Sequence, residues 1–222
     1  LKQTIAPLEI VISDDASSDN TLEVVESIAK KSIIPIQILK NSQTLGVSKN
    51  FFNAIQSCKG DYIALCDQDD VWALDKLEIK LTLLEKNPSK KMVISNANIY
   101  DQQLIKNLGT LWGSLKFNQS LQEKFQTSDQ IRQLLKKNLA WGLTVMFTRD
   151  LINDENTFND LWETWYFDGW LGIKAALFSE IILCNESLLS YRQHRDNFVG
   201  SPKRKSILAA FQKKEEFKTL DG

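Results

Sequence analysis

Short β-branched runs that give way to turn formers and then to helical period recur through the first hundred residues, and this alternation leaves few folds open. Residues 9–13 (Glu9-Ile10-Val11-Ile12-Ser13) read as a strand ending in Asp14-Asp15-Ala16-Ser17-Ser18-Asp19-Asn20, a cluster of turn formers and helix N-caps. A helix is expected from Thr21 to about Lys31. Residues 34–39 then read as a strand, 47–57 as a helix, and 61–66 as a strand with apolar residues on both faces. Strands of that last kind belong to sheets covered on both sides. Leu74, Leu77, Leu81 and Leu84 recur at helical spacing, predicting a helix over 73–85 that Asn87-Pro88 stops. Residues 91–97 start another strand. The expected fold class is α/β: a doubly wound, mostly parallel, Rossmann-like sheet flanked by helices.

The remainder is less regular. Residues 102–137, rich in Gln, Lys, Asn and Ser, are expected to form a helical or irregular, sheet-free insertion over one face. Residues 142–147 read as a strand, 160–178 as an aromatic-rich helix, and 181–191 as a strand. One domain is expected over 1–201, followed at 202–222 by a basic amphipathic tail with Ile207, Leu208, Phe211 and Phe217 on one side. Leu1-Lys2-Gln3-Thr4 reads like the end of a helix, so an opening strand and most of its helix are expected to precede this sequence in the natural protein.

Composition narrows the partners. The 27 basic and 28 acidic residues nearly cancel, so neither nucleic acid nor an anionic membrane is called for as principal partner. Three scattered cysteines, Cys58, Cys66 and Cys184, form neither a disulfide framework nor a zinc set, and a reducing cytoplasm fits. Without an apolar run of membrane-spanning length, the expected location is cytoplasmic, with peripheral association at the inner membrane face left open.

Two acidic clusters carry the chemistry. Asp14 and Asp15 fall at a strand's carboxyl end, where open α/β sheets bind ligands; they either contact a nucleoside or, with Ser17 and Asp19, form a turn and cap the next helix. Asp67, Asp69 and Asp70 crowd into four residues after a buried strand, where their repulsion calls for a counter-cation. Hard oxygen ligands suit Mg2+ or Mn2+, and a metal with open positions can bind a diphosphate. The alternative is a solvated acidic turn in which Asp70 or Asp75 caps the following helix, with Trp72 either sheltering the site or filling core.

Three segments together resemble a known family: Ile12-Ser13-Asp14-Asp15-Ala16-Ser17-Ser18-Asp19-Asn20-Thr21; Asn41 with Leu45-Gly46-Val47-Ser48-Lys49-Asn50-Phe51; and Gly60-Asp61-Tyr62-Ile63-Ala64-Leu65-Cys66-Asp67-Gln68-Asp69-Asp70-Val71-Trp72. In residues, order and spacing they resemble the inverting bacterial glycosyltransferases of family 2. With Lys76-Leu77-Glu78 following, the rhamnosyltransferase-like members that build surface polysaccharides are the most similar. The resemblance implies a GT-A fold, a nucleotide-sugar donor, and a glycan or lipid-linked saccharide acceptor. It implies that Asp14, Asp15 and Lys49 belong to the donor site, Asp15 holding base or ribose, that Asp67 lies on the ribose side, and that Asp69 binds the metal bridging the diphosphate. Asp168, in Tyr166-Phe167-Asp168-Gly169-Trp170-Leu171, matches the catalytic base, although Phe167 stands where the family often has His. His194, in Tyr191-Arg192-Gln193-His194-Arg195, matches a segment that could ligate the metal, with Arg192 or Arg195 neutralising phosphate.

The reading is therefore a metal-dependent inverting transferase, with rhamnose as one candidate sugar. Two rivals stand beside it: an inactive transferase-like module that only holds nucleotide or glycan, and a nucleotidyltransferase. The second would usually show a Gly-rich phosphate loop with Lys or Arg, and none is visible here.

Overall fold

The computed structural model describes residues 2–127, 129–152 and 166–194, so expectations for 153–165, for Arg195 and for the tail at 202–222 lie outside the described residues. Strand β1 (Ile10–Asp14) leads through the acidic turn to helix α1 (Thr21–Lys31), then β2 (Ile36–Lys40), α2 (Val47–Ser57) and β3 (Tyr62–Ala64). After the second acidic loop come β4 (Val71–Trp72), α3 (Lys76–Glu85) and β5 (Met92–Tyr100). The helix expected from residue 73 starts at Lys76, because the Ala73 N–H donates to Leu188 O and prolongs the β4 pairing.

The stretch 102–137 was expected to be free of sheet, but it opens with β6 (Asn107–Thr110), which pairs antiparallel with β5. The Asp101 carboxylate, accepting from the N–H groups of Ile105 and Lys106, closes the turn that returns the chain alongside β5. Helices α4 (Leu111–Ser114), α5 (Gln119–Thr127) and α6 (Gln130–Lys136) follow. Trp112, Phe125 and Leu134 from these helices enter the principal core, so the segment is built into the fold. A 3-10 turn (Gly142–Thr144), β7 (Val145–Thr148), α7 (Phe167–Phe178) and β8 (Ile181–Arg192) complete the described chain.

The strands form two sheets. β1 and β2 pair in parallel from Ile10 opposite Ile36 to Asp14 opposite Lys40. The six-stranded sheet runs β3-β7-β5-β8-β4, with β6 beside β5. Its longest ladder, β5 with β8, is parallel, and a register shift between Ser95 and Asn98 accommodates the residues around Asn185 and Glu186. The expected parallel character lies in these two ladders; the pairings of β3 with β7, β5 with β7, β4 with β8 and β5 with β6 are short and antiparallel.

Period-two alternation separates the two faces of the larger sheet. Met92, Ile94, Val145, Phe147, Ile181 and Leu183 join the cluster with Ile55 of α2 and Leu171 of α7. Val93, Met146 and Cys184 point the other way, to Leu77 and Leu84 of α3. Helices thus cover both faces, and the acidic turns after β1 and β3 emerge at strand ends. The expected buried face of α3 needs one correction: Leu74 is 59% exposed, whereas Lys76 and Lys80 are fully buried beside Leu77 and Leu84.

Candidate functional site

The acidic loop between β3 and β4 is held from below by the end of β8. The backbone N–H of Arg192 donates to Asp70 Oδ1 at 3.1 Å, its Nε donates to Asp69 O at 2.8 Å, and its Nη1 donates to Gln102 O at 2.6 Å. Two residues on, His194 Nε2 lies 2.7 Å from Asp69 Oδ2. Arg192, expected to face phosphate, is placed by these bonds against backbone carbonyls, where its guanidinium ties the loop to the start of residues 102–137.

Burial works against ionisation in this loop. Burial, followed by the negative charges of Asp69 and Asp168, pushes the Asp67 carboxyl up to about 6. Burial also pushes Asp70 up to about 7, although the Arg192 N–H and the Lys76 ammonium favour its ionised form. Asp70 Oδ2 is buried with no hydrogen-bond partner. Asp75 is the residue preceding α3 but makes no side-chain cap, and Asp70 is used by Arg192, so helix capping does not account for these carboxylates. Trp72 both packs on the core and supports the loop's sequel: the Lys76 ammonium stands 3.8 Å from the centre of its ring.

Asp168, on the first turn of α7, is linked to the start of α3 through the 3-10 turn Gly142–Thr144, which donates to it from Gly142 N and accepts from Lys76 Nζ at Leu143 O. Its Oδ1 accepts from Asn138 Nδ2 at 3.0 Å and from the Gly169 N–H at 2.6 Å, and its Oδ2 accepts from the Gly142 N–H at 3.0 Å. Tyr166, not Asp168, holds the N-cap position. The carboxylate is half-buried and fixed from two chain segments, and the Phe167 ring stacks on Phe51 of α2 at 4.8 Å.

The first cluster is wired differently. Asp15 Oδ1 accepts from Leu45 N at 2.7 Å and Asn41 Nδ2 at 3.2 Å, and Oδ2 accepts from Gly46 N at 3.0 Å. Its carboxylate thus grips the loop that starts α2, where Gly46 adopts a positive φ of 85°. Asn41, Asn50 and Asn53 extend the network to Ser13. Asp14 accepts from Ser17 N at 3.1 Å and Asp19 caps Thr21, the turn-and-cap alternative left open by the sequence. Lys49 is exposed on α2.

The second cluster brings oxygen and nitrogen donors from distant parts of the chain together. Asp69 and His194 present a carboxylate oxygen and an imidazole nitrogen to one another, with the Asp67 carboxyl two residues away and a buried unsatisfied Asp70 oxygen behind. Among the described residues no three His, Cys, Asp or Glu side chains close around a point, so Asp69 and His194 make only a partial ligand set in this arrangement.

Sequence reasoning did not find Asn138 and Gly142, the partners of Asp168, or the burial of Lys76 and Lys80. Asn138 and Gly142 lie 26 to 30 residues from Asp168 in a segment with no motif, and a lysine four residues from another on a helix reads first as a solvated face.

These carboxylates stand at strand ends, where open α/β sheets bind ligands, and the comparisons give the class. Residues 1–158 match the model described as "Glycosyl transferase family 2". The chain belongs to the family 2 glycosyltransferases. The dTDP-rhamnosyl transferase RfbG of Shigella flexneri is 29% identical over 217 residues, covering 90% of this chain and 68% of that protein. A β-1,3-glucosyltransferase of Escherichia coli, WfgD, named for UDP-Glc and α-D-GlcNAc-diphosphoundecaprenol, is 31% identical over 158 residues, covering 69% and 53%. The chain spans about half the length of several curated relatives it matches, including an uncharacterized Mycobacterium tuberculosis protein at 52%. Staphylococcus aureus TarS, solved with UDP, superposes with a TM-score of 0.63 at 17% identity, covering 89% of this chain and 55% of that one. A Pyrobaculum calidifontis mannosyltransferase, solved with GDP-Man and Mn2+, gives 0.58 at 15%, covering 89% and 52%. The fold is that of the GT-A glycosyltransferases.

Among the described residues no helix is long and apolar enough to cross a membrane.

Proposed function

We propose that the protein is a metal-dependent inverting glycosyltransferase, moving a sugar from a nucleotide-sugar donor to a glycan or lipid-linked saccharide acceptor in bacterial surface polysaccharide synthesis. The observation carrying this reading is the juxtaposition of two kinds of carboxylate. Asp69 is paired to His194 in a loop where burial opposes ionisation of Asp67 and Asp70, while Asp168 is held by Asn138 and by the N–H of Gly142, whose turn accepts from Lys76 at Leu143 O.

Asp69, His194 and Asp67 would hold Mg2+ or Mn2+, which when bound supplies Lewis-acid stabilisation to a departing nucleoside diphosphate. The chain's own residues do the rest. Asp168 takes the proton of the acceptor hydroxyl as that oxygen attacks the anomeric carbon from the face opposite the leaving group. Asn138 and Gly142 donate to its two oxygens, which fixes the carboxylate's orientation. Asp15 sets the donor side indirectly, by shaping the residues 41–46 loop, and Lys49 and Asp14 flank that side. The RfbG likeness makes rhamnose a candidate sugar.

The test is transfer from dTDP-rhamnose and UDP-glucose by the full-length protein, with manganese and with chelator. Transfer that vanishes with chelator and returns with manganese supports the reading. Nucleotide binding without turnover on any acceptor would favour a binding module.

A further inference from the structure

Helix α3 leaves the acidic loop carrying two lysines, Lys76 and Lys80, one turn apart and both 0% exposed. Methionine or leucine would fill such positions at lower cost, since a buried ammonium loses its hydration. What an amine alone supplies is a hydrogen bond to a carbonyl, and both make one to the same short turn. Lys76 Nζ donates to Leu143 O at 2.7 Å, and Lys80 Nζ donates to Thr144 O. These are successive carbonyls of the 3-10 turn Gly142–Thr144. At the other end of that turn, the Gly142 N–H donates to Asp168 Oδ2 at 3.0 Å. Just upstream, Trp141 Nε1 donates to Asn138 O at 3.0 Å, and Asn138 holds the other Asp168 oxygen.

The hydrogen bonds therefore form one continuous strut from α3, through the turn, to Asp168. We propose that Lys76 and Lys80 are positioning residues for the base, fixing Asp168 from beneath through the Gly142–Thr144 turn; this rests on the reading of Asp168 as general base. Neither lysine touches the acceptor. Their effect is on the angle at which the Asp168 carboxylate meets the acceptor hydroxyl, a geometry to which proton transfer is sensitive. Because α3 follows the metal loop directly, the same strut links the donor side of the site to the acceptor side.

A double-mutant cycle in the full-length enzyme tests this, with Lys80→Met as the principal variant because Lys76 also rests on Trp72. Lys80→Met should lower kcat by at least about tenfold, leave donor KM within about twofold, and shift the acid limb of the kcat–pH profile. In an Asp168→Asn background the same substitution should lower the residual kcat no further. An additive loss in that background, or a fall in thermal midpoint with kcat unchanged, overturns the proposal. Wild-type turnover by Asp168→Asn alone would instead overturn the base assignment. Should Lys80→Met not fold, Lys80→Gln and Lys76→Met carry the same comparison, and failure of all three to fold would assign the lysines to the core alone and so overturn the proposal as well.

Discussion

His194 Nε2 and Asp69 Oδ2 stand 2.7 Å apart although 125 residues separate them in the chain, so the far end of β8 completes the loop that follows β3. That contact ties the Asp69 carboxylate directly to the imidazole. Asp69→Asn is expected to abolish transfer and manganese-dependent nucleotide binding while leaving the fold nearly unchanged. Calorimetric titration of dTDP and UDP with and without manganese checks it; an unaltered manganese-dependent affinity refutes it. His194→Ala should weaken the same binding and spare the metal-free affinity.

Asp168→Asn should reduce kcat by at least about a hundredfold, the scale of a lost general base, with donor affinity nearly constant. The amide keeps one accepting oxygen and puts an N–H2 where the other stood, so either Gly142 or Asn138 loses its acceptor and stability should fall by about 1–3 kcal/mol, a loss read separately from the rate by the thermal midpoint. Turnover at the wild-type rate removes Asp168 from the mechanism.

The metal-free protein should respond to pH in a defined window. Asp70 at about 7 and Asp67 at about 6 both lie above the ordinary carboxylate value because burial disfavours their charge. The folded state thus binds more protons than the unfolded one between about pH 4 and 7, and stability falls as pH rises through that range. Lys76, pushed down to about 7 by burial, and Lys80, which burial holds well below the ordinary lysine value, act in the opposite sense: the unfolded state holds their protons up to about pH 10, so Lys80 makes the descent shallower and stability recovers with pH above neutrality. Denaturant midpoints measured in chelator across pH 4.5 to 9 should trace this dip near pH 7. Asp70→Asn should flatten the descending limb, and a profile identical to wild type would show that Asp70 does not titrate in this way.

Asp15→Ala should lower stability by about 1–3 kcal/mol, because it leaves the Leu45 and Gly46 N–H groups and Asn41 without their acceptor. Nucleotide affinity should fall with it through loosening of the residues 41–46 loop. Urea unfolding and dTDP titration on one preparation separate the two effects. A loss of affinity at full stability would make Asp15 a direct ligand contact.

Gly172→Ala should cost about 1–3 kcal/mol, since a Cβ there would come within 2.6 Å of the Ala140 methyl group. The clash falls between α7 and the segment carrying Asn138 and Gly142, so kcat should drop together with the thermal midpoint. Gly172→Ala combined with Ala140→Gly should recover both.

Most of the order of strands and helices, β4 and β6 apart, was legible because the early strands are short, β-branched and closed by turn formers; α2 even begins and ends where the residue pattern places it. Asp67 and Asp69 stood out by their density and Asp168 and His194 by the family resemblance, and the structure brings Asp69 and His194 into contact. What could not be read was partnership across the fold. Asn138 carries no local signal for an aspartate 30 residues on, and the lysines of α3 look solvated until the turn carbonyls they serve are located in space. Likewise β6 was hidden in polar sequence, Asn107-Leu108-Gly109-Thr110, whose strand character comes from the adjacent edge of β5.

The two sheets of the chain will not open together. β1 and β2 are laddered only to each other among the described residues, and side-chain amides of α2 tie them to their surroundings, whereas β5 is flanked by β7 and β8 at the centre of the core. Backbone amides of β1 and β2 should therefore exchange with deuterium through a shallow, partial opening, and those of β5 only on global unfolding. Asp15 and its loop ride on the fast-exchanging unit, and Asp168 and the acidic loop on the slow one. Occupancy of the donor side should thus register first as slowed exchange over residues 10–14 and 36–40, in a sheet separate from the one that carries the acidic loop.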